Sequence, residues 1–391
     1  MSLASAEAAE ARRKAASTMG YYNLRLGPTG WSFTGALGID ANDNIRLDSV
    51  DPKSDIIFRP EINARMILPL SDVNSLNLAL GAGYSSYLQH SEFDRFYITP
   101  GSELSFDLYV GDFWFNVHDR FSITENTYQD PTVVGSANYS RLENAAGVGG
   151  TWDLNTVQLR AGYDHVNYIG LQGTTQSAGQ PNGQSEVFSS SAGYAVRPGM
   201  RAGLEVGGSL IHYDQTSGSQ LFTDATQVSV GGFLDEKLSE YLHGRASVGY
   251  QVFSPDQTGS LTNSGNLDGV YAQLGVSHRL NQYLDYSLTG GRTLNFTFFG
   301  GTVDLYYVRW QANWNVLRRW SVGTSFQYEH GSQLGSGSEV FDRYGPGLSL
   351  GRTITTKLSG SLAYQYYWRG SDLPNRDYTV NVLTLNLAYR F

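Results

Sequence analysis

Apolar and polar residues alternate along most of the chain. From Tyr241, YLHGRASVGYQVF places Leu242, Ala246, Val248, Tyr250 and Val252 on one parity and His243, Arg245, Ser247 and Gln251 on the other. Successive side chains of a strand point to opposite faces, so this period of two predicts strands with one apolar and one polar face. The pattern recurs in VQLRAGYDHV from Val157, MRAGLEVGGSLIH from Met200, VYAQLGVSHRL from Val270, YYVRWQANWNV from Tyr306, WSVGTSFQYEH from Trp320 and LSGSLAYQYYW from Leu358. Short polar turns fall near Asp72, Gly111, Asn155, Pro198, Glu236, Asn281, Arg318 and Thr356. Their spacing of roughly 40 residues is that of two long strands, one turn and one longer loop. The longer connections, such as SITENTYQDPTVVGSA and FSPDQTGSLTNSGNLDG, are rich in Gly, Ser, Thr, Asn and Gln and read as surface loops.

Two strands at each turn and a terminal strand at either end predict about 18 strands, with about 16 as the alternative count. A β-propeller also repeats at about 40 to 50 residues, but it divides each repeat into four short strands. Two strands of roughly 10 to 14 residues per repeat have the length that crosses a tilted bilayer. The predicted fold is therefore all-β: a closed antiparallel transmembrane β-barrel over residues 21–391, with short periplasmic turns and long extracellular loops. No continuous apolar run is long enough for a transmembrane helix.

Residues 1–20 read differently. ASAEAAEARRKAAS, Ala4 to Ser17, sets Glu7 and Glu10 ahead of Arg12, Arg13 and Lys14, a helix-favouring composition without an apolar face. A helical or disordered periplasmic segment is expected, with a plug inside the barrel as the alternative. The segment lacks the apolar core of a signal peptide. Either the chain begins at a mature or re-engineered start or it is not exported; the barrel pattern favours the first.

Composition sharpens this picture. Charged residues are 16% of the chain, against about 25% in typical globular proteins, and aromatics are 13%, including 26 Tyr. The absence of Cys excludes disulfides, thiolate metal sites and Cys nucleophiles. A net charge of -9 argues against a nucleic-acid partner. Many aromatics share the apolar parity near strand ends: Tyr306, Trp310 and Trp314; Trp320, Phe326 and Tyr328; Tyr364, Tyr366 and Trp368. They predict girdles against outer-membrane lipid. In the last strand, Leu383, Leu385, Leu387, Tyr389 and Phe391 share one parity. The strand is expected to close the barrel, and it resembles the C-terminal signature of outer-membrane barrels, with Tyr389 and Phe391 read by the assembly machinery.

The opposite parity is expected to face a lumen. Arg160, Arg201, Arg245, Arg279 and Arg309 fall on it, as do Glu61, Glu103 and Asp107 on early strands and Glu205 and Glu329 on later ones. Charge on opposed walls would orient polar solutes and set ion preference; alternatively the charges pair and brace the wall. Inward Tyr271, Tyr307 and Tyr367 could stack on sugar rings or fill space. Catalysis finds little support. The seven His show no HExxH or other metal-ligand spacing, GxSxG and P-loop motifs are missing, and His118 and Asp119 point to opposite faces. No enzyme activity, metal or cofactor is expected.

YNLRLGPTGWSFTGALGIDANDNIRL, Tyr22 to Leu47, resembles the entry segment of the putative beta-barrel porin 2 family: a Gly-Pro turn leads into the first strand, which ends in an acidic, Asn-containing loop at Asp40 to Ile45. The turns LSEYL, LNQYL and VLRRW are similar too, whereas the Ala/Glu/Arg-rich start departs from the pattern. The resemblance implies an exopolysaccharide-associated outer-membrane barrel of a Gram-negative-type bacterium, without catalytic residues. The expected function is a channel for polar solutes and, through the resemblance, a conduit for exopolysaccharide with a periplasmic partner. Alternatives are an uptake porin for small solutes and a closed structural or adhesive barrel.

Overall fold

A computed structural model describes residues 22–124, 134, 140–171, 182–214, 224–255, 267–296, 302–334 and 338–391. The segment 1–20 and much of several long loops lie outside the described residues. The strands begin with β1 (Leu24–Leu26), β2 (Thr29–Asn42), β3 (Asp55–Pro69), β4 (Ser75–Tyr87), β5 (Arg95–Val110), β6 (Phe113–Thr124), β7 (Arg141–Leu154), β8 (Val157–Gly170) and β9 (Gly183–Arg197). They continue with β10 (Met200–Tyr213), β11 (Ala225–Lys237), β12 (Leu242–Pro255), β13 (Leu267–Arg279) and β14 (Leu284–Phe296). The last are β15 (Thr302–Leu317), β16 (Trp320–Leu334), β17 (Val340–Thr353), β18 (Leu358–Ser371) and β19 (Tyr378–Arg390).

From β2 onward each strand pairs antiparallel with the next, and β19 returns to β2 with Val382 opposite Asn42 and Arg390 opposite Thr34. This is the predicted closed 18-stranded barrel. β1 is an extra three-residue strand that pairs with β2 across the Gly27–Pro28 turn. Closure leaves no sheet edge, so the backbone satisfies its own hydrogen bonds, as hydrocarbon requires. Barrel strands of 12 to 16 residues exceed the roughly 9 to 11 that cross a bilayer, so they project beyond it.

The short turns form where the sequence placed them, and their chemistry explains the repeated grammar. Ser239 Oγ accepts the N–H groups of Tyr241 and Leu242 in LSEYL, and Asn281 Oδ1 those of Tyr283 and Leu284 in LNQYL. A short polar side chain thus supplies the turn's acceptor. Tighter turns use positive φ, at Gly111 (61°) and Gly199 (85°), where a Cβ would be penalised.

Apolar outward positions are exposed, including Leu204, Val206 and Leu210 on β10 and Leu383, Leu385 and Leu387 on β19. Aromatics gather toward both ends of this face. Trp152, Tyr194, Trp314 and Tyr389 lie toward the short turns; Tyr328, Tyr344 and Trp368 form a ladder toward the loops, with centroids 5.0 and 5.4 Å apart. Outward polar contacts also sit toward the loop side: Tyr328 Oη donates to Asp342 at 2.8 Å, and His165 Nδ1 lies 2.8 Å from Glu186. Charged groups are costly in hydrocarbon, so these pairs mark the level of the outer headgroups.

Candidate functional site

The inward face is identified by side chains that bridge strands with another strand between them, which only the concave side of a curved sheet permits. Arg201 on β10 donates to Gln158 on β8 at 3.0 Å, and Arg245 on β12 donates to Glu205 on β10 at 3.1 Å. All the predicted lining residues lie on this inward parity, but the structure assembles them into distinct groups.

The first group is one continuous ladder row. Arg160 stands opposite Ser191, Ser191 opposite Glu205, Glu205 opposite Gly231, Gly231 opposite Gly249, and Gly249 opposite Tyr271. The Tyr271 side chain lies across both glycines and donates its hydroxyl to Glu205 Oε1 at 3.0 Å, while Arg245 holds Oε2. The glycines are what allow this. A Cβ on Gly231 would fall 2.1 Å from Tyr271 Oη, and one on Gly249 would fall 2.4 Å from Tyr271 Cε1. The same device recurs on the early strands, where Tyr97 crosses Gly83 to donate to Glu61 Oε2 at 3.0 Å.

Gly249→Val is therefore expected to lift Tyr271 from the wall and break its bond to Glu205. Overpacking of this kind costs about 1–3 kcal/mol. The urea midpoint of the refolded barrel would record the loss, and an unchanged midpoint would show that the ring is not held by the glycine groove.

A second group lies higher on the wall. Arg309 donates to Glu329 at 3.0 Å, and Glu329 also accepts from Arg343 Nε at 2.8 Å. Arg343 lies over the Tyr367 ring at 5.2 Å and Arg309 over Tyr307 at 5.0 Å. Tyr367 also fills the groove at Gly345, and Tyr271 is 9% exposed, so both rings are taken up largely by the protein itself. Arg279 makes no side-chain hydrogen bond or ion pair to any described residue. On β5, Asp107 accepts from Asn116 at 2.7 Å and Trp114 at 3.2 Å, and Glu103 stands opposite Arg120. Arg59, 2.9 Å from Asp40, and Arg65 occupy inward positions on β3, so the separation of charge between opposed walls is partial.

The parity pattern also contained groups that sequence reasoning missed. Arg343 and Arg369 share the inward parity and are fully buried. Arg369 lies 2.7 Å from Glu339 and over Phe341 at 4.3 Å, while Arg376 is 2.9 Å from the other Glu339 oxygen and Ser371 Oγ donates to Glu339 at 2.6 Å. Burial of the loop residue Glu339 opposes its ionisation, but the contacts of Arg376 and Ser371 and the charges of Arg369 and Arg376 prevail and hold its carboxyl below the ordinary range. Each His except His278 contacts a carboxylate, as His118 does with Asp164 at 2.7 Å. Asp119 itself faces outward, so it is not that partner. No group of three metal-binding side chains occurs among the described residues.

The two ends of the lumen differ. Near the short turns it opens into cavities of about 1030 Å³, bordered by Arg319, Ser361 and Asn386, and about 620 Å³, bordered by Lys237, His243 and Arg279. Toward the loops, inward Val303, Phe341, Arg343, Arg369 and Val380 are at most 2% exposed. There the β2–β3 loop turns in: Leu47, at φ 57°, is buried with Tyr367, Tyr378, Val380 and Val382. Asn44 Nδ2 ties the loop to the Thr379 carbonyl at 3.0 Å.

A closed antiparallel sheet that shows lipid an apolar face and surrounds a polar lumen defines a transmembrane β-barrel of the porin type. The chain belongs to the family described as Putative beta-barrel porin 2, whose sequence model matches residues 34–391, and it is an outer-membrane protein. No curated protein matches it by sequence. Its fold is similar to that of OpdO from Pseudomonas aeruginosa, with 13% identity, a TM-score of 0.52, and 94% of this chain and 98% of that one covered. It is also similar to OccAB3 from Acinetobacter baumannii, with 13% identity, a TM-score of 0.51, and 94% and 100% covered. OpdQ from Pseudomonas aeruginosa shows 9% identity, a TM-score of 0.51, and the same coverage of 94% and 100%.

Proposed function

We propose that the barrel is a passive, non-catalytic channel for small polar solutes with a preference for anions. The observation that carries this reading is the open cleft on the β8–β13 wall, where exposed Arg160 and Arg245 stand among Ser and Gln side chains above the wide short-turn end. A fixed cation beside a water-filled path lowers the energy of a passing anion and raises that of a cation. The predicted lining residues then divide the work. Glu205, Glu329, Arg201, Arg245 and Arg309 brace the wall, Arg160 and Arg279 set the field, and Tyr271, Tyr307 and Tyr367 shape it.

Small solutes are favoured over a polysaccharide because the described inward side chains at the loop end are buried against one another. Exopolysaccharide export would need that packing opened and a periplasmic partner to deliver the polymer. On this reading residues 21–391 act as one barrel domain and residues 1–20 as a periplasmic segment. Tyr389 and Phe391, exposed at the end of the final strand, would serve as the signal read by the assembly machinery.

Single-channel conductance of the refolded protein in a planar bilayer tests the proposal. Wild type is expected to give open channels that prefer chloride over potassium, and Arg245→Ala with Arg279→Ala to reduce that preference. A protein that shows heat-modifiable barrel migration but no conductance would instead be a closed structural barrel.

A further inference from the structure

The inward wall from β8 to β13 recedes into a cleft of about 430 Å³, and its polar groups are not equally committed. Glu205 is held at both oxygens, by Tyr271 and Arg245. Arg245 is further steadied over the Phe233 ring at 5.0 Å. Arg160, in the same ladder row, is exposed to the cleft, and its side chain makes no hydrogen bond or ion pair to any described residue. Between Arg160 and Glu205 stands Ser191, with Ser189 and Ser229 bordering the same space. Two ladder steps separate Arg160 from Glu205, roughly 10 Å between backbones at about 4.8 Å per step.

We propose that this cleft is a binding subsite for a hydroxylated monocarboxylate of hexuronate size, with the carboxylate on Arg160 and the hydroxyls on Ser191, Ser229 and Glu205. The inference rests on the channel reading above and gives its path a substrate class. Each part follows from the chemistry of the row. A guanidinium offers paired donors that match a carboxylate, and one without a protein partner has no ion pair to break when the ligand arrives. Ser hydroxyls donate or accept as the sugar requires. Glu205, with its charge offset by Arg245 and one hydrogen bond from Tyr271, keeps lone pairs for a ligand hydroxyl. Discrimination runs both ways. A neutral hexose leaves the Arg160 charge uncompensated, and a second carboxylate on the ligand would meet Glu205.

Saturation-transfer NMR on the detergent-solubilised full chain tests this with galacturonate, galactose and galactarate as probes. Saturable galacturonate binding is expected, with galactose at least tenfold weaker, and Arg160→Ala should reduce galacturonate to the level of galactose. Glu205→Gln should narrow the gap between galactarate and galacturonate. Equal binding of galactose and galacturonate, or full galacturonate binding in a folded Arg160→Ala variant, overturns the subsite. If that variant fails to fold, the wild-type comparison of the two sugars decides. Potassium chloride conductance separates the two readings. Channels without galacturonate binding would remove the subsite and leave the channel, whereas binding without channels would remove the passive path and leave the subsite.

Discussion

Glu329→Ala is expected to destabilise the barrel by about 3–5 kcal/mol, the usual cost of removing one partner from a buried ion pair. Glu329 is 1% exposed and receives both Arg309 and Arg343, and Arg343 is not exposed at all. Arg309 can turn to water, since its side chain is 54% exposed. Arg343 has no such recourse and would lose its carboxylate while still shielded from solvent. Replacing both members of the pair, with Glu329→Leu and Arg343→Met, should recover most of the loss, because apolar side chains of similar volume remove the desolvation penalty with the charge. Unfolding by guanidinium in lipid vesicles provides the measurement. A loss below about 1 kcal/mol for the single variant would mean that water reaches Arg343 and that the loop end is more open than its burial indicates.

Leu47→Asp is expected to raise single-channel conductance several-fold. The β2–β3 loop is held inward by Leu47 among Tyr367, Tyr378, Val380 and Val382, by Ile45 against Ile57 and Tyr87, and by the Asn44 and Asp43 hydrogen bonds. A carboxylate in that cluster would exchange full hydration for the Tyr367 and Tyr378 hydroxyls among aliphatic side chains, so the loop would leave the wall rather than bury the charge. Faster cleavage within residues 43–54 by an added protease should accompany the higher conductance. Unchanged conductance with a cleavable loop would show that this loop does not bound the path.

Much of this barrel is legible in its sequence. A strand that faces lipid on one side and water on the other must alternate, so the parity of Arg160, Glu205, Arg245 and Tyr271 could be assigned from local pattern alone. Turn chemistry was equally local. Ser239 and Asn281 lie within three residues of the N–H groups they cap, so the repeated turns gave the strand count and, through it, closure. The outward aromatics and the apolar final strand followed from the same rule.

What remained hidden was everything that depends on register. Tyr271 and Glu205 are 66 residues apart, and Asn44 reaches a carbonyl 335 residues away. Parity states that such side chains share a face but not at what height they meet, and a two-residue slip preserves the parity while changing every partner. For that reason the sequence supplied an Arg row without showing which members are spent on Glu205, Glu329 and Gln158 and which stay available to a solute. It likewise offered Tyr271 and Tyr367 as stacking platforms, although glycine grooves on neighbouring strands draw those rings against the wall. The inward turn of Leu47 is of the same kind, because an apolar residue in a polar loop acquires a direction only once Val380 and Val382 lie opposite it. The sequence by itself determined a closed membrane barrel and the two faces of its wall, since both follow from solvent acting on a period of two; the tertiary structure alone decided which lumenal charges are paired and which inward side chains are buried, since those depend on heights set by the ladder register.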